Sequence, residues 1–266
     1  MLCVSLSSNP GKFGTVVHNA GYRSLGLDWS YVACATNNLK NSIQAIRTLG
    51  IRGCSISMPF KEDVMKYLDK IDTVAKKIGA VNTIVNNKGK LTGYNTDYIG
   101  AKESLKLLKP AKKHNFLVLG TGGATRSILF ALDNLGFTKI TISGRNYIKA
   151  KKLADKFDSE VISWNEREKC TNEVLINATP IGMYPNTRYS PVSKIYIKNL
   201  KYVMDIISNP TETRLIKNAK SLKIKNSNGL TMSLFQARAQ FKLYTGLNLP
   251  MEVMKNAVSK YYKKKK

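Results

Sequence analysis

The chain has no apolar run approaching the ~20 residues that span a bilayer. Its first residues, "MLCVSLSSNP", lack both the basic start and the long apolar centre of a secretory signal. A cytoplasmic protein with no membrane partner is the expectation. Cysteine is sparse: Cys3, Cys34, Cys54 and Cys170 form no CxxC pair and follow no regular spacing, so they read as unpaired thiols in a reducing compartment. With His18 and His114 as the only histidines, no Cys/His metal cluster is expected. Acidic residues are scarce too, 17 against 43 lysines and arginines, for a formal net charge of +26. Such an excess draws anions of every kind: nucleic acid, membrane surface, phosphorylated cofactor, carboxylate substrate. Yet the lysines are spread along the chain, with one long run in the terminal "YYKKKK", and no homeodomain, zinc-finger, RRM or KH pattern accompanies them. Nucleic acid is therefore not the expected partner, and the charge reads as solvated surface.

What is present is a folded composition. Hydrophobic residues make up 43% of 266 positions, enough to bury two modest cores. "LCVSL", "YVACAT" and "IRGCSIS" have the length and β-branched content of strands. Between them "NLKNSIQAIRTLG" sets Leu39, Ile43, Ile46 and Leu49 on one helical face and stops at Gly50. A helical "KEDVMKYLDKIDTVAKKIG" and a hairpin turning near "NNKG" follow. The proline and basic run of "LKPAKKHN" mark a candidate linker, after which strands and helices alternate again. This alternation implies βαβ units, hence an α/β fold with a mostly parallel sheet.

"NFLVLGTGGATRS" runs from an apolar strand into Gly120, Gly122 and Gly123 and then a helix. Such a turn lets backbone N–H groups approach a pyrophosphate, with the helix N-terminus adding partial positive charge. The third glycine of the dinucleotide fingerprint is Thr125 here. Where an NAD site presents an acid to the ribose 2′-hydroxyl, the next strand ends "TISGRN", with Arg145 and no acid. A guanidinium there pairs with a 2′-phosphate, so the loop reads as NADP-binding.

Hydride transfer to a ketone requires a group that stabilises the forming alkoxide and delivers a proton. Lys61 in "SMPFK" and Asp97 in "YNTD" offer a lysine and a carboxylate where strands end. Taken alone, Lys61 is one positive charge among 43.

In order and spacing, "SMPFK", "IGAVNTIV", "GYNTDYIG", "LGTGGATRS", "INATPIGM" and "GLTMSLFQA" resemble the signature blocks of the shikimate dehydrogenase family. The opening "LCVSLSSNPGKFGTVVHNAGYRSLGL" is more similar to its divergent shikimate-dehydrogenase-like branch. The resemblance implies two α/β domains: residues 1–100 with 234–266 binding substrate, and residues 101–233 forming a Rossmann-type NADP domain. It implies reversible reduction of 3-dehydroshikimate to shikimate, a step of chorismate and aromatic amino acid biosynthesis. Under it Lys61 is the catalytic lysine and Asp97 its partner, while Ser57, Asn82 and Gln236 face the substrate. Gly120, Gly122, Gly123 and Ala124 match the phosphate loop, and Arg145 the arginine that reads the 2′-phosphate. Thr179 and Gly229 match positions lining the nicotinamide half. Each also has a plainer reading: Thr179 caps the turn before Pro180, and Gly229 closes a helix start.

The chain departs from the family pattern at one end of the substrate. A Ser-x-Ser pair before "HN" ordinarily clamps the carboxylate, and Lys12 and Gly14 stand at those positions. Ser208 stands where a tyrosine usually helps. Losing such partners costs on the order of 1–3 kcal/mol per bond, which Lys12 by charge and Thr15 by its hydroxyl can offset. The expected partner is a small carboxylate, either shikimate or a close cyclic polyol acid such as quinate, bound by a monomer or homodimer without a metal. The alternative is a retired enzyme serving as a basic binding protein for nucleic acid or an acidic partner. A methylenetetrahydrofolate dehydrogenase shares the two-domain plan, but "AVNT" with "NTD" argues against it.

Overall fold

A computed structural model describes residues 1–263, so most of the terminal lysine run lies outside the described residues. The chain opens with β1 (Leu2–Ser7), α1 (Phe13–Ser24), β2 (Ser30–Ala35), α2 (Leu39–Thr48) and β3 (Gly53–Ile56). Then come β4 (Lys70–Ile71), α3 (Thr73–Ile78), β5 (Thr83–Asn87), β6 (Lys90–Tyr94) and α4 (Asp97–Leu108). The next stretch runs β7 (Phe116–Leu119), α5 (Gly123–Asn134), β8 (Ile140–Ser143), α6 (Tyr147–Lys156), β9 (Glu160–Ile162) and β10 (Val174–Asn177). It closes with α7 (Lys194–Ile197), β11 (Tyr202–Asp205), α8 (Arg214–Ser221), β12 (Lys225–Ser227), α9 (Gly229–Thr245) and α10 (Met251–Lys263). Two compact units result: Met1–Thr96 with Leu234–Lys266, and Asp97–Ser233. "LKPAKKHN" lies inside the second, as the connection from α4 to β7.

In the first unit the strands are ordered β2-β1-β3-β5-β6-β4. β1 pairs in parallel with β2 and β3, while the β5–β6 hairpin is antiparallel to β3 and makes the sheet mixed. Val4, Leu6, Cys54 and Ile56 point to one face and pack with Leu39, Ile43 and Ile46 of α2. The N-cap of α2 is Asn38, whose Oδ1 accepts the Asn41 N–H at 3.1 Å. Leu49, expected on the buried face, sits at the C-cap beyond the last turn and is 72% exposed. The opposite face, carrying Cys3, Tyr31 and Gly53 in register, meets aromatic rings of α1 and α9. A Cβ on Gly53 would lie 2.4 Å from the Tyr244 ring, so the close packing there requires glycine. With α1 and α2 on opposite faces, the sheet switches direction at β1 and β3. Their carboxyl ends are where ligands bind in open α/β sheets.

The expected long helix over "KEDVMKYLDKIDTVAKKIG" is broken. Residues Asp63–Tyr67 form a short 3-10 turn, β4 follows, and only Thr73–Ile78 is α-helical. Two aspartates divert the chain. Asp69 accepts from Arg47 and from the Leu91 N–H, and Asp72 caps α3 by accepting the Val74 N–H at 3.0 Å.

In the second unit the order is β12-β11-β10-β7-β8-β9, with every pairing parallel. Counted within the unit this is 6-5-4-1-2-3, the order of a Rossmann fold. Alternation along the strands sorts the core in two. Phe116, Val118, Ile142 and Ile176 pack on one face with Leu129 and Leu132. Leu117, Leu119, Leu175 and Val203 pack on the other with Leu215 and Ile216. Each such side chain contributes about 1.5–3 kcal/mol of burial. Among the described residues, no helix is long and apolar enough to cross a membrane.

Candidate active site

The segment after β3 in the first unit is held from both sides. Ser57 N–H donates to the Leu6 carbonyl at 2.9 Å, and Val81 N–H donates to the Lys61 carbonyl at 2.8 Å. Ser57 is exposed at the strand end and Lys61 is half-buried. Phe60, beside Lys61, packs against the α2-side core and anchors the turn.

Next to this turn polar residues at the start of β5, just beyond β6 and on α9 converge. Asn82 Nδ2 donates to Thr96 Oγ1 at 3.0 Å, and Thr96 N–H donates back to Asn82 Oδ1 at 2.7 Å. The Thr96 hydroxyl lies 3.4 Å from Gln236 Oε1, to which it donates. Thr83 Oγ1 donates to Asn82 Oδ1 at 2.8 Å and accepts from Gln240 Nε2 at 3.0 Å. The structure thus brings together Asn82 and Gln236, which lie far apart in sequence. Sequence reasoning missed Thr83, Thr96 and Gln240. The four-residue spacing of Gln236 and Gln240, which puts both on one helix face, was the available signal.

Lys12 is the N-cap residue of α1, exposed and without a side-chain capping bond. Thr15, one turn in, has a buried hydroxyl with no partner. His18 is wholly buried, and neither ring nitrogen meets a hydrogen-bond partner. Burial lowers its pKa to about 4, with the neighbouring Gln240 amide offsetting a little of that effect.

In the second unit Gly120 ends β7 with φ +125, and a Cβ there would lie 2.8 Å from the Ala178 carbonyl oxygen. Only glycine fits that turn. Gly122 is the N-cap of α5, offers no side-chain cap, and its missing Cβ faces open space. Gly123 and Ala124 form the first turn, leaving its N–H groups uncovered by side chains. The Thr125 hydroxyl is buried there without a partner. This cradle fits a pyrophosphate. Arg145 is exposed between β8 and α6, just after Gly144, where Thr121 packs too tightly for a side chain.

Thr179 and Gly229 take their plainer structural places. The Thr179 hydroxyl donates to Asn177 Oδ1 at 2.7 Å and accepts the Ile181 N–H at 3.2 Å, which closes the turn. A Cβ on Gly229 would lie 2.3 Å from the carbonyl oxygens of Ile206 and Ile207, so two backbones touch there. Asp205, which sequence reasoning missed, is buried at the end of β11. It accepts from Thr213 Oγ1 at 2.6 Å, Asn177 Nδ2 at 3.1 Å and Ile207 N–H at 3.1 Å. Burial raises its pKa to about 6 against those bonds. Asp97 is buried as the first residue of α4. Among the described residues, no cluster of three or more His, Cys, Asp or Glu is placed to hold a metal.

Comparison with known proteins matches both units. Residues 13–84 match the family model for the shikimate dehydrogenase substrate binding domain, and residues 101–224 match that for shikimate / quinate 5-dehydrogenase. The shikimate dehydrogenase (NADP(+)) of Methanocaldococcus jannaschii is 42% identical, over 93% of this chain and 92% of that one. A shikimate dehydrogenase-like protein of Haemophilus influenzae is 37% identical over 92% and 90%. The crystal structure of the Thermus thermophilus shikimate 5-dehydrogenase with NADP(H) and shikimate superposes with TM-score 0.87. It is 30% identical, over 98% of this chain and 99% of that one. Two sheets of this topology, a glycine turn at the first strand of the second, and a sequence matched over nearly its whole length lead to one conclusion: this chain belongs to the shikimate dehydrogenase family.

Proposed function

We propose that the chain is an NADP-dependent oxidoreductase that interconverts 3-dehydroshikimate and shikimate, or a close cyclic polyol acid. The observation that carries this reading is the Asn82–Thr96–Gln236 network, a set of hydroxyl-binding groups on a chain of this family. Bound NADP supplies the hydride in one direction and accepts it in the other. The N–H groups of Gly122, Gly123 and Ala124 bind the pyrophosphate over the turn at Gly120, and Arg145 pairs with the 2′-phosphate. Thr179 and Gly229 shape the wall beside the nicotinamide through backbone and turn, since the Thr179 hydroxyl is already committed to Asn177.

On the substrate side Asn82 and Gln236 hydrogen-bond ring hydroxyls and Ser57 presents a hydroxyl at the end of β3. In reduction, Lys61 Nζ gives its proton to the carbonyl oxygen as that oxygen gains negative charge, and the alcohol forms. Asp97 accepts a hydrogen bond from a substrate hydroxyl and orients the exchange. In oxidation Lys61 takes the proton back.

The test is NADPH consumption with 3-dehydroshikimate, followed by absorbance. Lys61→Ala and Asp97→Ala are each expected to cut kcat by roughly a hundredfold or more with the fold intact by circular dichroism. Failure of the purified protein to oxidise either shikimate or quinate with either nicotinamide cofactor would overturn the proposal.

A further inference from the structure

Gly14 raises a question: what takes the place of the side chain it lacks? A Cβ built on Gly14 would lie 3.1 Å from the Tyr31 hydroxyl and 2.9 Å from Cε1 of its ring. The space a side chain at position 14 would fill is therefore already held by a phenol that reaches over from β2.

That phenol is fixed in place. Tyr31 is 2% exposed, and its ring lies flat on His18 at a centroid distance of 4.4 Å. The hydroxyls of Ser55 and Ser5 adjoin its oxygen. Register puts these groups on one face: Cys3 pairs with Tyr31, and Ser5 with Ser55. Ser7, two residues beyond Ser5, points to the same face at the carboxyl end of β1. Ser7 is 4% exposed and its hydroxyl has no partner, and neither has the buried Thr15 hydroxyl in the first turn of α1. A buried, unpaired hydroxyl is unfavourable unless something binds it. Helix α1 adds an uncapped N-terminus at Lys12, with no acid in its first turn. Buried hydroxyl donors beside the partial positive charge of a helix N-terminus are the chemistry of a carboxylate site.

We propose that the Tyr31 hydroxyl, admitted by Gly14, holds the substrate carboxylate together with the Ser7 and Thr15 hydroxyls. This rests on the function proposed above and says how the acid end of that substrate is recognised. Gly14 and Tyr31 then form an exchange: a hydroxyl carried on the sheet stands in for one carried on the helix. Burial holds the phenol well above its ordinary pKa, so it stays a donor across the working range.

The experiment compares shikimate with its methyl ester, which keeps the ring hydroxyls and loses the charge. Tyr31→Phe removes one oxygen and leaves the ring stacked on His18. It is expected to raise KM for shikimate roughly tenfold or more, with kcat little changed and KM for the ester moved less than about twofold. Ser7→Ala is expected to act in the same direction and stands in should Tyr31→Phe fail to fold. Gly14→Ser, which a simple restoration of the clamp would predict to help, is expected to raise KM because its Cβ displaces Tyr31. A wild-type enzyme active on shikimate whose KM is unmoved by Tyr31→Phe and Ser7→Ala overturns the inference and leaves the function standing. Equal losses for acid and ester overturn it too, because the residues would then be structural. A wild-type protein active on quinate alone is put through the same comparison with quinate and its methyl ester, and one inactive on both acids removes the function, and this subsite with it.

Discussion

The His18 and Tyr31 rings are stacked 4.4 Å apart with their planes 9° from parallel, inside an aromatic cluster that also holds Tyr22, Phe241 and Tyr244. A histidine in that position must be neutral, and its pKa of about 4 lies below the ordinary 6.5 because burial penalises the cation.

Acid is therefore expected to loosen the first unit. Between pH 6.5 and 4 the unfolded chain binds a proton at His18 that the folded chain refuses, so stability is full above 6.5 and declines as pH falls. The loss amounts to about 3 kcal/mol by pH 4. Urea midpoints across that range, with His18→Phe as the comparison, check this. The variant should show a flatter profile.

Asp205 is expected to act with the opposite sign. Its folded pKa of about 6 lies above the ordinary 3.8 because burial disfavours the carboxylate. Its contribution is present below pH 3.8 and is lost as pH rises through 6, again by about 3 kcal/mol. The two groups partly offset each other between pH 4 and 6, so single variants are needed to see either. Asp205→Asn should remove the decline toward pH 6 and, in the same melts, lower stability at acid pH by weakening the bonds from Thr213 and Asn177.

Two glycines of one loop are expected to separate stability from binding. Gly120→Ala meets the Ala178 carbonyl at 2.8 Å in a backbone conformation that side chains avoid, so the fold should lose about 2 kcal/mol or more. Gly122→Ala meets nothing within 4 Å, so the melt should stay within about 0.5 kcal/mol. Its added methyl group instead crowds the phosphate site, and the KM for NADPH should rise. Thermal unfolding and NADPH titration of both variants decide it.

Arg145→Ala is expected to weaken NADPH and leave NADH alone. A charge-assisted pair with the 2′-phosphate contributes about 1.5–3 kcal/mol, or roughly tenfold to a hundredfold in KM. Steady-state kinetics with both cofactors measure the ratio, and an equal effect on the two would show that Arg145 does not read the phosphate.

Much of this protein follows from its residue order. The period-2 and helical patterns mark most strands and helices, because burial on one face imposes that spacing wherever an element packs on a sheet. The turn at Gly120 is legible because a tight strand-to-helix reversal demands glycine in any context. Other features depended on partners distant in the chain. Asp69 broke the helix expected over residues 61–79 by accepting from Arg47 and from the Leu91 N–H, partners that local propensity does not register, while Asp72 restarted it by capping α3 on the Val74 N–H. Leu49 fits the helical stripe, yet the helix ends one residue before it and leaves it in solvent. Gly229 needed the backbone at Ile206 and Ile207 to explain it, and Asn82 needed Thr96 and Gln236. At position 14 the sequence by itself determined that a clamp serine is absent. Only the tertiary structure decided what stands there instead, because parallel pairing of β1 with β2 carries Tyr31 to a place that no spacing along the chain reveals.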